Sequence, residues 1–141
     1  MISQTAEYAL RAVVFLAERP NVRHTTRTIA EAAQVPPGYL AKVMQSLAQA
    51  GVVRGQRGLN GGFSLARLPR EIALSEVIEA IDPIRRIREC PLHLEAHREA
   101  LCPLHSRLDR ALARIEREFR EATVSDLLER PTFHPEAGNA P

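Results

Sequence analysis

The chain has 141 residues, 45% of them apolar but only 4% aromatic and none of them tryptophan; this bounds it to one domain, or one small domain plus an extension, built from packed helices. No run approaches the roughly 18 apolar residues of a membrane span, so none is expected. The net charge of +2 hides a split: residues 1–70 carry nine Lys/Arg against three acids, and residues 71–141 carry ten against fourteen, which makes the first half the one suited to a polyanion.

The opening MISQTAEYALRAVVFLAERP has acids within it and no small-residue cleavage site, so no signal peptide is expected. The expected compartment is the cytoplasm, where two cysteines are not a disulfide by default. In the same stretch Leu10, Val13, Val14 and Ala17 recur at helical spacing, and Phe15 and Leu16 widen the apolar surface. The spacing predicts a helix buried on more than one side and ended by Pro20. TTRTIAEAAQV predicts a short second helix with Thr25 or Thr26 as N-cap. PPGYLAKVMQSLAQAG predicts a third, with Leu40, Val43, Met44 and Leu47 as its buried stripe and Pro37 in its first turn.

The period then changes. VVRGQ and GFSLAR are strand-like runs flanking the turn-rich RGLNGG. Helix, short helix, turn, helix and hairpin, in that order, predict a winged helix-turn-helix. The third helix would present Tyr39, Lys42, Gln45 and Gln49 to solvent, side chains suited to phosphates and base edges. The hairpin tip adds Arg54, Arg57 and Asn60 on a flexible backbone, suited to phosphate or minor-groove contact.

After a link, LSEVIEAI predicts a short helix. Beyond it, Leu104, Leu108, Ala111, Ile115, Phe119 and Ala122 step by 4, 3, 4, 4 and 3. That near-heptad seam predicts a helix of about twenty residues, roughly 30 Å long, whose simplest partner is a second copy of the chain. TVSDLLER predicts a short closing helix. The fold class expected is mostly α with a small β-hairpin: a winged helix-turn-helix plus a long dimerisation helix. The organisation expected is a DNA-binding region at 1–68, a link and Cys/His segment at 69–102, the dimerisation and closing helices at 103–129, and a disordered tail at 130–141.

Between the link and the long helix lies ECPLHLEAHREALCPLHSRL, in which Cys-Pro-Leu-His occurs twice. Cys90 and Cys102 are the only cysteines, and His93, His97 and His105 join them. Pro103 suits a first helical position, which makes Cys102 the N-cap and His105 the third helical residue. N-cap and N3 side chains can meet, so both could bind one metal ion, and a helix N-terminus favours the thiolate that ligates it.

These pieces resemble the Rrf-two family of bacterial winged-helix regulators, of the IscR and NsrR type, over about residues 1–129. The matching stretches are AEYALRAVVFLA, TIAEAAQVPPGYLAKVMQSLAQAGVVRGQRGLNGGFSLAR, IALSEVIEAID and TVSDLL, and the RG-x-x-GGF wing is the most specific of them. The resemblance implies a homodimer on a partly palindromic double-stranded DNA operator, with the third helix in the major groove and Arg57 in the minor groove. Cluster-binding relatives carry three cysteines at six-residue intervals and, in IscR, a histidine three residues after the last. Cys90, Cys102 and His105 fall on the first, third and histidine positions, and Ala96 replaces the middle cysteine. The resemblance to the nitric-oxide sensor points to Glu7 of the partner subunit as a further ligand, with His93 and His97 as alternatives.

Four readings of the segment follow: a 2Fe–2S cluster with two thiolate and two other ligands, a zinc site, a Cys90–Cys102 thiol switch, or two N-capping cysteines without cofactor. The function expected is a dimeric DNA-binding transcription regulator, a repressor, responding to redox, nitric oxide or iron–sulfur status. Two other classes compete with it: a cysteine-nucleophile enzyme, for which no oxyanion-hole glycine motif stands beside either cysteine, and a protein–protein adaptor that has lost DNA.

Overall fold

The computed structural model describes residues 2–89, 95 and 102–129. Helix α1 (Gln4–Ala17) begins where Ser3 Oγ accepts the Ala6 N–H at 3.1 Å, satisfying a donor that every helix start leaves free. Helix α2 (Thr26–Ala33) is capped by Thr25, whose hydroxyl accepts the Thr28 N–H at 3.1 Å. It stops at Gln34, which takes a left-handed backbone with φ of 57°. Val35 is buried beneath that turn. Helix α3 (Pro37–Gln49) follows at once, with Pro37 in its first turn, where a missing N–H removes no hydrogen bond.

Strands β1 (Val53–Gln56) and β2 (Gly62–Leu65) pair antiparallel, with Gly55 opposite Phe63 and Gln56 opposite Gly62. A third short piece of backbone joins them. The Phe63 carbonyl accepts the His24 N–H at 2.9 Å, and Phe63 N–H donates back to the His24 carbonyl at 2.7 Å. The His24 ring meets Phe15 edge-on at 4.9 Å. The hairpin is therefore tied along its β2 strand, close to the loop at residues 57–61, to the α1–α2 connection and is not a free arm.

Helix α4 (Leu74–Ile81) follows a 3-10 turn at Pro69–Glu71. Arg67 pairs with Glu76, and the same carboxylate accepts the Ala73 N–H at 2.9 Å. Burial pushes the Glu76 carboxyl up, but Arg67 and the Ala73 N–H outweigh it and hold it below its ordinary value. Helix α5 (Pro103–Glu121) spans 19 residues, and a 3-10 turn at Val124–Leu128 closes the described chain. Among the described residues no helix is long and apolar enough to cross a membrane.

Helix α1 sits at the centre and packs against α2, α3 and α4. Its core face differs from the expected stripe. Ala6, Ala9, Ala12, Val13, Phe15, Leu16 and Ala17 are buried, whereas Leu10 and Val14 are only half-buried, Leu10 at the margin of the core. The alanines face inward because three helices crowd α1, and a short side chain lets their backbones approach. Apolar size therefore misdirects the reading here.

The α5 seam is likewise divided. Phe119 and Ala122 pack against the chain's own core, while Leu104 and Leu108 stay 70% and 50% exposed. The cause is the anchoring of the C-terminal end of α5: the Ala122 carbonyl accepts the Leu74 N–H, and Val124 N–H donates to Ile72, each at 2.9 Å.

Candidate functional site

Helix α3 has two clean faces. Leu40, Val43, Met44 and Leu47 are at most 2% exposed, and Tyr39, Lys42, Gln45 and Gln49 all lie on the exposed side. That leaves one row of polar side chains on a helix whose other row is locked in the core, the geometry a groove-reading helix needs. Tyr39, 60% exposed, meets the ring of Tyr8 edge-on at 6.4 Å, and the Arg11 guanidinium lies 5.7 Å from the Tyr8 ring centre.

In the hairpin, Arg54, Arg57 and Asn60 are exposed. Asn60 takes φ of 62°, a conformation asparagine tolerates better than most residues. Leu59 beside it is 97% exposed. The three polar residues share the tip and strands of one ribbon, with Arg54 on β1 opposite Ser64.

Further along the chain Cys102 stands as N-cap of α5, with Pro103 and His105 following as expected. The thiol does not cap the helix: it accepts no backbone N–H, and Sγ lies 2.9 Å from His105 Nδ1. Cys102 therefore occupies the N-cap position without supplying a side-chain cap bond. Glu7 is exposed in the first turn of α1. No group of three or more possible metal ligands gathers among the described residues, so Glu7 does not join Cys102 and His105 within one chain. Cys90, His93, Ala96 and His97, together with the tail from 130, lie outside the described residues.

Sequence reasoning missed three contacts that shape these sites: the His24–Phe63 backbone pair under the hairpin, the Tyr8–Tyr39 contact, and a guanidinium clamp between Arg86 and Asp109 at 2.7 Å. Each joins residues far apart in the chain, and helical or strand spacing carries no signal for such pairs.

A family model described as Rrf2, iron-dependent transcriptional regulator, matches residues 2–130. The chain belongs to the Rrf2 family. An HTH-type transcriptional regulator of Aquifex aeolicus (strain VF5) is 30% identical over 131 residues, covering 91% of each chain. Among solved structures, IscR of T. potens is 24% identical with a TM-score of 0.73, covering 91% of this chain and 85% of its own. CymR of B. subtilis, titled the global cysteine regulator, is 24% identical with a TM-score of 0.72, covering 90% of this chain and 95% of its own. This Rrf2-family chain thus has the winged-helix fold and is a transcription regulator with a DNA-binding fold, not an enzyme.

Proposed function

We propose that this Rrf2-family protein is a dimeric repressor that reads a two-fold DNA operator and reports the state of a 2Fe–2S cluster held by Cys90, Cys102 and His105. The observation that carries the DNA half is the exposed Tyr39-Lys42-Gln45 row on α3, together with the exposed Arg54, Arg57 and Asn60 of the hairpin. Glutamine can pair with adenine in the major groove, and arginine suits the narrow negative minor groove. Arg57→Ala is expected to weaken operator binding by about 1–3 kcal/mol at physiological salt. Unchanged affinity in a titration of labelled duplex would sink the assignment of the hairpin to DNA.

The dimer half is supported by α5. None of its residues is buried, and Leu104, Leu108 and Ala111 face solvent. An apolar row of that length calls for a cover, and a second α5 supplies a matching one.

The cofactor half is supported by the Cys102–His105 contact. Ligands of one tetrahedral ion, with metal–sulfur and metal–nitrogen bonds near 2.3 and 2.0 Å, stand about 3.5 Å apart. The observed 2.9 Å needs only a small opening, so this half of a donor set fits. Cys90 would complete the thiolates, and Glu7 of the partner subunit, or else His93 or His97, the fourth position. A bound cluster of this type supplies a local charge that changes with redox state and with protonation of its non-thiolate ligands. Glu7 directly precedes Tyr8, whose ring touches Tyr39 of α3; a pull on Glu7 would reach the DNA-reading helix in one contact.

Anaerobic purification, followed by a visible spectrum and iron, sulfide and zinc analysis of one sample, tests this reading. About two iron and two sulfide per chain are expected, and Cys102→Ala is expected to abolish metal incorporation. Stoichiometric zinc in a colourless protein would replace the cluster with a zinc site. Full metal content in the Cys102 variant would exclude that residue as an essential ligand.

A further inference from the structure

Besides the packing of α5 against α4, two bonded attachments hold it to the rest of the described chain, at different distances along it. The inner one is backbone, where residues 122 and 124 bond to residues 74 and 72. The outer one is a side-chain clamp. Arg86 Nε and Nη2 grip the two oxygens of Asp109, each at 2.7 Å, and Arg86 Nη1 reaches Glu116 at 3.5 Å. The Ile87 N–H adds a third bond to Asp109 at 2.9 Å. Asp109 lies thirteen residues before Ala122, roughly 20 Å along the helix.

The segment carrying Arg86 lies along α5 and runs against it. Ile84 sits by Glu116 and Phe119, and three residues later Ile87 is level with Asp109. The Asp109 side chain is only 17% exposed, so the pair is shielded more than an ordinary surface ion pair. The hydrogen bond to Asp109 pushes the Arg86 guanidinium further up, and the same bond holds the Asp109 carboxyl below its usual range. Both groups therefore stay charged throughout the neutral range.

We infer that Arg86 is a positioning residue for DNA binding: its fork on Asp109 fixes the angle of α5 against the winged-helix body, and with it the spacing of the two α3 helices in the dimer. The backbone bonds and α4 hold the C-terminal part of α5; the clamp at Asp109, roughly 20 Å from Ala122, restrains the part nearer Cys102. If α5 is the dimer axis element, its angle decides how far apart two α3 helices stand. Two half-sites one helical turn apart are about 34–36 Å from centre to centre, so one base pair changes the required spacing by about 3.4 Å. The inference rests on the dimer reading proposed above.

The test uses the full chain and a duplex selected by the wild-type protein from a random-sequence pool. Versions of it lengthened or shortened by one base pair between half-sites, and a single half-site, complete the set. Wild type is expected to prefer its own spacing by at least about tenfold, the scale of one mismatched base pair. Arg86→Ala and Asp109→Ala are expected to cut that preference to less than about threefold while leaving single half-site affinity unchanged, and to speed exchange of the Ile87 amide. The two variants change net charge in opposite directions, so a shared loss of spacing preference cannot come from general attraction to DNA.

Should Arg86→Ala lose its cooperative thermal transition, Arg86→Lys puts the same question, because it keeps the charge but cannot grip both oxygens. Undiminished spacing preference in folded variants overturns the inference. A monomeric wild type, or a dimeric one indifferent to spacing, overturns the dimer reading or its link to DNA instead. The protein's mass in solution tells these cases apart.

Discussion

Leu104→Glu combined with Leu108→Glu is expected to turn the dimer into a folded monomer and to lower operator affinity by about 10²–10⁴-fold, the gain that linking two binding modules provides. Both leucines are half or more exposed in the single chain, so glutamates there meet water and cost the monomer little. In a paired α5 they would place carboxylates in an apolar seam without partners, and that burial is strongly unfavourable. The far end of α5 is not disturbed, because Phe119 and Ala122 belong to the chain's own core. Affinity for a single half-site should stay as in the wild type, since α3 and the hairpin are untouched. Sedimentation equilibrium and duplex titration check the two halves separately. A variant that still sediments as a dimer would place the interface elsewhere on the molecule.

This prediction depends on knowing which part of the seam is free, and the sequence did not say. The steps of four and three from Leu104 to Ala122 identify an amphipathic helix correctly, but they do not distinguish a neighbour in the same chain from a second copy. That depends on the backbone bonds of residues 122 and 124 to 74 and 72, a tertiary fact. Helix α3 was more legible because its period, its prolines and its core stripe all give the same answer. The Cys102-Pro103-His105 start of α5 was legible for a similar reason: N-cap and N3 positions converge by local geometry, and the 2.9 Å contact follows. In helix α1 the expected Val13, Phe15, Leu16 and Ala17 are buried, and the alanines at 6, 9 and 12, weakly apolar by size, went unnoticed although they face the most crowded neighbours. The Arg86–Asp109 clamp had no local signature at all.

Gly62→Ala is expected to lower stability by about 2–4 kcal/mol and to detach the hairpin from the body. Gly62 has φ of 138°, and a Cβ there would stand 2.4 Å from the His24 carbonyl oxygen and 2.6 Å from its carbon. Those atoms are backbone and cannot rotate away. The His24 strand piece must move, and moving it strains the two Phe63 hydrogen bonds at 2.9 and 2.7 Å. Losing two such bonds outright at about 0.5–1.5 kcal/mol each, with backbone strain of about 1–3 kcal/mol, would cost about 2–6 kcal/mol; here the bonds are strained and not lost, which holds the cost to the lower part of that range. For a domain of this size that is a fall in Tm of roughly 5–15 °C. Gly58→Ala separates collision from strain, because Gly58 also has a positive φ of 97° but nothing stands within 4 Å of its added Cβ. It should cost less and leave the tie to His24 in place. Operator binding should then part the two variants further: with the hairpin loosened Arg57 is no longer held in place, so Gly62→Ala should bind as weakly as Arg57→Ala even at temperatures where it is fully folded. Wild-type affinity in folded Gly62→Ala would mean that the tie to His24 supports the fold alone and does not aim Arg57 at DNA.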